Sequence, residues 1–283
     1  MHVTYTTYSA PDWPLERHID LALKLGCEAL ELRSLANKPV APDMPKDDQQ
    51  AIGDTIMDAG LAICLVGSDC RFATPSAGDR RKAIDRAIEF VRLAHAWRAP
   101  IVRVFGGRYD PGPPDAEVNQ WVAESLREVA QAGLEHGIVI ALETHDAFSS
   151  GQRVRRVLDL AAHASIGALW DFAHPVRAGE SVSETWALIG GNTVHAHFKD
   201  MRQISTDYDE RDRLFGIWEA VLPGLGNLPL HKMVTHLASA DFDQYISTEW
   251  EGRKSDRTID PATALETHTA YLHELITSTR ASQ

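Results

Sequence analysis

The chain has 283 residues, 24% of them charged and 44% hydrophobic, with 28 Lys and Arg against 40 Asp and Glu for a formal net charge of −12. That is the composition of a folded globular chain long enough to bury a substantial core, and it gives disorder no support. A balance this acidic opposes docking on DNA or on anionic lipid, since both select a basic face.

Three cysteines, Cys27, Cys64 and Cys70, make no disulfide framework and fit a reduced compartment. The opening Met1-His2-Val3-Thr4-Tyr5 has no basic segment leading into a long apolar run, and no stretch of about 18 apolar residues occurs. A cytoplasmic protein with no nucleic-acid or membrane partner is expected, and a homo-oligomer is compatible with the sequence.

Short apolar runs alternate with amphipathic stretches along the chain. The runs are Val3–Tyr8, Ala29–Leu32, Leu61–Val66, Ile101–Phe105, Ile138–Leu142, Ile166–Trp170, Thr193–Phe198 and Tyr245–Thr248. Several are apolar at consecutive positions, as parallel strands covered on both faces are. Between them, Asp79–Trp97 and Asp115–His136 carry apolar residues at helical spacing, and Gly137 fits a helix C-cap. Eight strand-then-helix units predict a single (β/α)8 TIM barrel over 1–283. A doubly wound open sheet would need a phosphate-binding glycine loop after an early strand, and no G-x-G-x-x-G follows one. Lys199 to about Leu228 is the longest stretch without a clear period. It reads as an irregular active-site loop on the barrel face where active sites sit.

Four strands end in ligand-type residues. They are Glu143, followed by Thr144-His145; Asp171, with His174 three residues on; His195 and His197, followed by Lys199; and Glu249, followed by Trp250-Glu251. Glu143, Asp171 and His197 are separated by 28 and 26 residues, one βα unit each. Converging carboxylates repel unless protonated or neutralised, and a divalent ion turns that penalty into binding energy. A carboxylate-rich shell with one imidazole suits Mn²⁺, Mg²⁺, Co²⁺ or Zn²⁺. By strand parity His195, His197 and Lys199 face the interior while Val194, Ala196 and Phe198 pack outward. His197 lies nearer the mouth and is the expected ligand; His195, one layer deeper, supports or packs.

The ordered set resembles the xylose-isomerase-like superfamily of TIM barrels, the sugar phosphate isomerase/epimerase group. It comprises E-x-L-E-L-R at 28–33, V-R-V-F-G-G at 102–107, L-E-T-H at 142–145, W-D-x-x-H-P at 170–175, H-x-H-x-K-D at 195–200, P-G-x-G-N at 223–227 and S-T-E-W-E at 247–251. The resemblance implies one divalent metal ion on Glu143, Asp171, His197 and Glu249, with His174 touching substrate. Leu225 departs from it, standing where relatives often place Glu. The implied reaction is isomerisation or epimerisation of a sugar or sugar phosphate, by proton abstraction next to a carbonyl through a metal-stabilised enediolate. Glu143 and Glu249 would exchange the proton from opposite faces. Lys199 and Arg103 are candidates for polarising a hydroxyl or holding a carboxylate, and Arg108 for meeting a carboxylate or phosphate.

The alternative is a metal-dependent dehydratase of the 3-dehydroshikimate or inosose type, which the 142–145 and 247–250 segments also resemble, with His145 as base. An endonuclease-IV-like DNA repair enzyme would need more His ligands and a basic groove, against Glu31 and Arg33 on strand two and a net charge of −12. A non-catalytic sugar-binding relative is disfavoured by the intact ligand set. The expected partner is a small polar carbohydrate-like substrate. Arg33, Arg71, Arg103, Arg108 and Arg202 decide its sign: an Arg pair at the site favours an anion, and Glu, His and Trp alone favour a neutral polyol.

Overall fold

All eight apolar runs form parallel strands: β1 (His2–Tyr5), β2 (Ala29–Leu32), β3 (Ala62–Arg71), β4 (Ile101–Phe105), β5 (Val139–Glu143), β6 (Ile166–Asp171), β7 (Thr193–Phe198) and β8 (Tyr245–Thr248). The computed structural model describes residues 1–209, 213–252 and 258–281. Neighbours run in the order β1-β8-β7-β6-β5-β4-β3-β2. A parallel bridge from Thr6 to Glu31 joins the two ends, so the barrel is nearly closed. Helices fill the intervals, including Ala77–Ala96 and Asp115–Glu135 where the sequence places them. The second ends at Gly137, whose φ of +69° is the left-handed conformation glycine adopts without strain. None of the described helices is long and apolar enough to cross a membrane.

Strands apolar at consecutive positions are covered on both faces. Outward residues such as Val104, Leu142, Trp170 and Phe198 pack beneath the helices in the main core. Inward ones follow a two-residue period that switches from apolar to polar toward the carboxyl end. Ala29 precedes Glu31, Ile101 precedes Arg103, Ala141 precedes Glu143 and Leu169 precedes Asp171. Ala29, Ile101, Ala141 and Leu169 join Leu65 in a small inner cluster that floors the polar mouth. Val194 packs against that cluster rather than outward as expected. The register between β6 and β7 slips at this point, from Ala168–Thr193 to Leu169–His195, and the extra residue turns in.

Two other expectations change. The 199–228 stretch is not irregular: Asp200–Asp209 and Leu214–Val221 pair as an antiparallel hairpin. Register shifts around Ser205 and a polar sequence hide its period. The buried Asp200 carboxylate anchors its base, accepting the N–H groups of Met201, Gly224 and Gly226 at 2.8, 2.9 and 2.9 Å. Farther along the hairpin, Arg213 bonds Asp115 at 2.8 Å and lies 4.9 Å over the Tyr109 ring, so it reaches from β7 to the segment after β4. The second change is in β3, which continues to Arg71, beyond the apolar run that ends at Val66.

Two histidines hold the ends of the chain around this barrel. His18 is buried beside Tyr5, whose hydroxyl donates to the His18 carbonyl at 2.6 Å. His268, in helix Pro261–Ala281, donates Nδ1–H to the Ala264 carbonyl at 2.7 Å and packs on Trp250. Burial pushes each down to about 4 from the usual 6.5. A folded-state pKa below the unfolded one gives stability that is present above 6.5 and lost as pH falls toward 4. Each histidine therefore removes about 2 kcal/mol of stability by pH 5. In urea unfolding at pH 7.5 and pH 5, His268→Gln is expected to shrink the difference by about that amount. An unchanged difference would exclude a buried neutral His268.

Candidate metal centre

The inward residues at the carboxyl ends of β5, β6, β7 and β8 meet around one imidazole. The β6–β7 and β7–β8 registers place Asp171 and Ser247 level with His197. Glu143 and Glu249 stand at the ends of β5 and β8, and the Glu249 N–H donates to the Phe198 carbonyl at 2.9 Å. Carboxylate oxygens of Glu143, Asp171 and Glu249 lie 3.6, 3.8 and 3.7 Å from Nδ1 of His197. That nitrogen is buried and has no hydrogen-bond partner. The opposite nitrogen, Nε2, bonds Oε2 of Glu31 at 3.1 Å. The same oxygen lies 3.2 Å from Nε2 of His195, which also bonds the Ser247 hydroxyl at 2.8 Å.

Charge at this mouth is out of balance. Glu31, Glu143, Asp171, Glu249 and Glu251 face Arg103 and Lys199. Burial works to lower the His197 pKa, but Glu31, Asp171 and Glu143 hold it well above the usual imidazole range, so without an ion three cations face five carboxylates. Lys199 Nζ sits 2.6, 2.8 and 2.7 Å from Asp171, Glu249 and Glu251. Burial works to lower the Lys199 pKa, but those three carboxylates hold it well above the usual ammonium range. Arg103 Nε lies 3.0 Å from Glu143, its Nη1 donates to the Ser68 carbonyl at 2.7 Å, and its plane rides 4.0 Å over the Phe105 ring. Burial works to raise Glu143, yet the Arg103 charge, with His197, holds it down at about 2. Glu249 goes the other way: burial, with Glu251 and Asp171 beside it, outweighs Lys199 and pushes it up. The convergent oxygens, the unpartnered nitrogen and the uncompensated charge all fit a divalent cation. Glu143, Asp171 and His197 each offer an atom within 4.8 Å of the others.

Above the centre lies a cavity of about 230 Å³. Its lining includes Glu31, Glu143, Glu249, Glu251, His145 and Lys199 together with Arg33, Arg71, Arg103 and Arg108.

A family model of the xylose isomerase-like TIM barrel matches residues 19–275. The chain belongs to that family. An inosose dehydratase of Clostridium perfringens is 23% identical over 155 residues, 52% of this chain and 51% of that protein. The chain thus matches about half the length of its curated relatives. Among solved structures, the IolI protein with a zinc atom superposes with a TM-score of 0.80 at 14% identity, covering 99% of both chains. An L-ribulose 3-epimerase gives 0.78 at 13% identity, over 99% of this chain and 96% of that one. AsbF of Bacillus anthracis, described as a probable 3-DHS dehydratase, gives 0.75 at 15%, over 96% and 99%. At these identities the structures establish the fold.

Within the xylose isomerase-like barrel, the four residues expected as ligands, Glu143, Asp171, His197 and Glu249, come together, and Lys199 joins them. His145 reaches the cavity wall. It stacks on Phe105 and His174, and its Nδ1 lies 2.9 Å from the buried Asp146 carboxylate. Arg108 also lines the cavity, 3.0 Å from Asp146. His174, expected against substrate, is not on the cavity wall. It is 5% exposed and sits behind Asp171 at 3.4 Å, where burial pushes it down to about 4. Trp170 and Trp250 are fully buried and shape the outer core, not the pocket.

Three contributors escape strand-end reasoning. Glu31 bonds partners more than 160 residues away, signalled only by its inward parity with Arg33. Asp146 sits in a left-handed turn, φ +51°, and takes three cationic-type neighbours, His145, Arg108 and Arg71. Burial works to raise its pKa, but those neighbours hold it below the usual carboxylate range. Gly67 lets two guanidinium groups cross it, since a Cβ there would fall 2.9 Å from Arg33 Cδ and 3.0 Å from Arg103 Nη2.

Arg103→Leu strands the Glu143 carboxylate in a buried site. Urea unfolding of the metal-free protein at pH 7.5 should show a loss of about 3–5 kcal/mol. A loss below about 1 kcal/mol, the range of exposed pairs, would contradict the buried ion pair.

Proposed function

We propose that this protein is a divalent-metal-dependent isomerase or epimerase that removes a proton next to the carbonyl of a small sugar-like substrate. The observation carrying this reading is the approach of three carboxylate oxygens to 3.6–3.8 Å of the buried, unpartnered Nδ1 of His197. Glu143, Asp171, His197 and Glu249 would hold the ion, one of Mn²⁺, Mg²⁺, Co²⁺ or Zn²⁺. When bound, the cation supplies Lewis-acid stabilisation for the negative charge that develops on substrate oxygen.

The remaining work belongs to side chains. Glu31 accepts Nε2–H of His197, so Nδ1 is the nitrogen that faces the carboxylates and would exchange its proton for the ion. The opposite pKa shifts of the two glutamates favour Glu249 for moving the proton. A carboxyl group raised toward neutrality gives and takes protons readily, whereas Glu143, held ionised by Arg103, serves as an anion throughout. Lys199, 2.8 Å from Glu249, steers that carboxylate and has donors for a substrate hydroxyl.

A second reading, dehydration with His145 as base, has its own support. His145 lines the cavity with a buried carboxylate at its Nδ1, an arrangement that orients an imidazole as a general base. The half-length curated relative is named an inosose dehydratase.

Metal content of the purified protein, followed by reaction of a ketose panel in D2O, separates the two. Isomerase or epimerase action puts solvent deuterium on the carbon next to the carbonyl without loss of water. Glu249→Gln is expected to slow that exchange by about 10²-fold or more, with His145→Asn near the parent rate. The reverse ranking, together with enone absorbance, would establish the dehydratase. Full exchange after chelation would remove the metal from both.

A further inference from the structure

We infer that the substrate carries an anionic group and that Arg33 is the residue that selects it. This rests on reading the cavity above the metal centre as the substrate site. Glu31 faces the barrel interior, so Arg33, two residues on, faces the same way one layer nearer the mouth, and it lines the cavity. Its backbone is pinned on both sides: its N–H donates to the Thr7 hydroxyl at 2.9 Å, and its carbonyl accepts the Val40 N–H at 3.1 Å. The side chain then crosses Gly67 beside Arg103, in the space a Cβ would take.

The two guanidinium groups differ in how they are met. Arg103 has Glu143 at 3.0 Å and the Ser68 carbonyl at 2.7 Å. Arg33 has no side-chain hydrogen bond or ion pair to any described residue. It is half-buried, and burial, then Arg103, pushes its pKa down to about 10, which the pull of Asp69, Tyr8 and Glu143 offsets only in part. The carboxylate nearest the other arginines is already shared. Arg71 and Arg108 approach one carboxylate, Asp146, at 3.4 and 3.0 Å, and His145 shares it. Two guanidinium groups and one imidazole thus share a single carboxylate beside the cavity that Arg33 lines.

A ligand filling about 230 Å³ displaces the water that now solvates Arg33. A neutral polyol would leave the charge poorly paired, which lowers affinity. A carboxylate or phosphate oxygen pair matches the planar fork of guanidinium donors. The predicted specificity is for a small polyhydroxylated ligand bearing one such group, its carbon chain toward Glu249 and its anion toward Arg33.

The test is calorimetric titration of the metal-replete protein with D-gluconate, D-glucitol 6-phosphate and D-glucitol. The expected result is a preference for one anion over glucitol, the better of the two naming carboxylate or phosphate. Arg33→Gln, with unchanged melting behaviour, should weaken that anion by about tenfold or more while leaving glucitol as it was. Arg33→Lys should recover part of the loss. Equal affinity for all three, binding of none, or a preference that survives in Arg33→Gln overturns the inference. An anion preference without bound metal would instead fail the functional reading and leave Arg33 standing; bound metal without anion preference would do the opposite.

Discussion

Everything at the mouth of this barrel follows from gathering five carboxylates where burial forbids them to stay uncompensated. In water such a cluster would cost little. Inside a barrel each ionised carboxylate needs a cation, a hydrogen-bond donor or a proton. Arg103 and Lys199 meet part of the demand, each with several contacts at 2.6–3.0 Å. Asp171 Oδ2 and Glu249 Oε2, the oxygens that Lys199 holds, and Glu143 Oε1 also lie 3.6–3.8 Å from the nitrogen of His197 that has no hydrogen-bond partner. A scaffold that merely tolerated acids would have let them point to solvent. This one places Asp171 level with His197 and seats Glu249 with a backbone hydrogen bond to β7. A one-residue slip in either pairing would turn those side chains out of the barrel.

Beneath the acidic layer, Glu31 acts as a hinge pin for two histidines. Its one oxygen, Oε2, lies 3.1–3.2 Å from both His195 and His197, and burial leaves it no other outlet. Burial works to raise its pKa, but the two imidazoles outweigh that and hold it well below the usual carboxylate range. The result is a fixed ring plane with Nδ1 toward the carboxylates, which a ligand-type imidazole needs before any ion arrives. Under Glu31 the inner wall becomes apolar, so the polar charges share a dry floor of Ala29, Ile101, Ala141 and Leu169. Low local polarity strengthens each ion pair above it and raises the cost of breaking one.

Sequence reasoning reached what local spacing encodes. Strand ends with inward parity point to Glu143, Asp171 and His197, one βα unit apart, and to Glu249 beyond the 199–228 stretch, and the structure brings these four side chains near one another. Contacts that close across the barrel leave no such trace. Glu31 reaches His195 and His197 from β2, and nothing near residue 31 announces them. The hairpin over 200–221 was hidden for a different reason: bulges around Ser205 break the two-residue alternation, and polar residues fill positions where a buried strand would be apolar. His174 shows the limit of a motif. Its spacing from Asp171 places both on one side of a short helical turn, but only the packing decides that the ring lies behind the carboxylate and not in front of it.

The sign of the cavity could not be read from the net charge of −12 either. Most of the chain's acids are solvated at the surface, and beyond about 8–10 Å salt screens them. The field a ligand meets is set by the groups on the wall and by how much of each charge is already answered. Lys199 is answered three times and Arg103 by Glu143, so neither presents much charge outward. Arg33 has no ion pair or side-chain hydrogen bond to a described residue, and Arg71, Arg108 and His145 share the carboxylate of Asp146. An acidic protein therefore carries a cavity whose lining combines a carboxylate cluster, suited to a cation, with the guanidinium groups of Arg33, Arg71 and Arg108. Glycine at position 67 leaves room for Arg33 and Arg103 to lie side by side: a Cβ there would fall 2.9 Å from Arg33 Cδ and 3.0 Å from Arg103 Nη2, so one of the two side chains would have to shift.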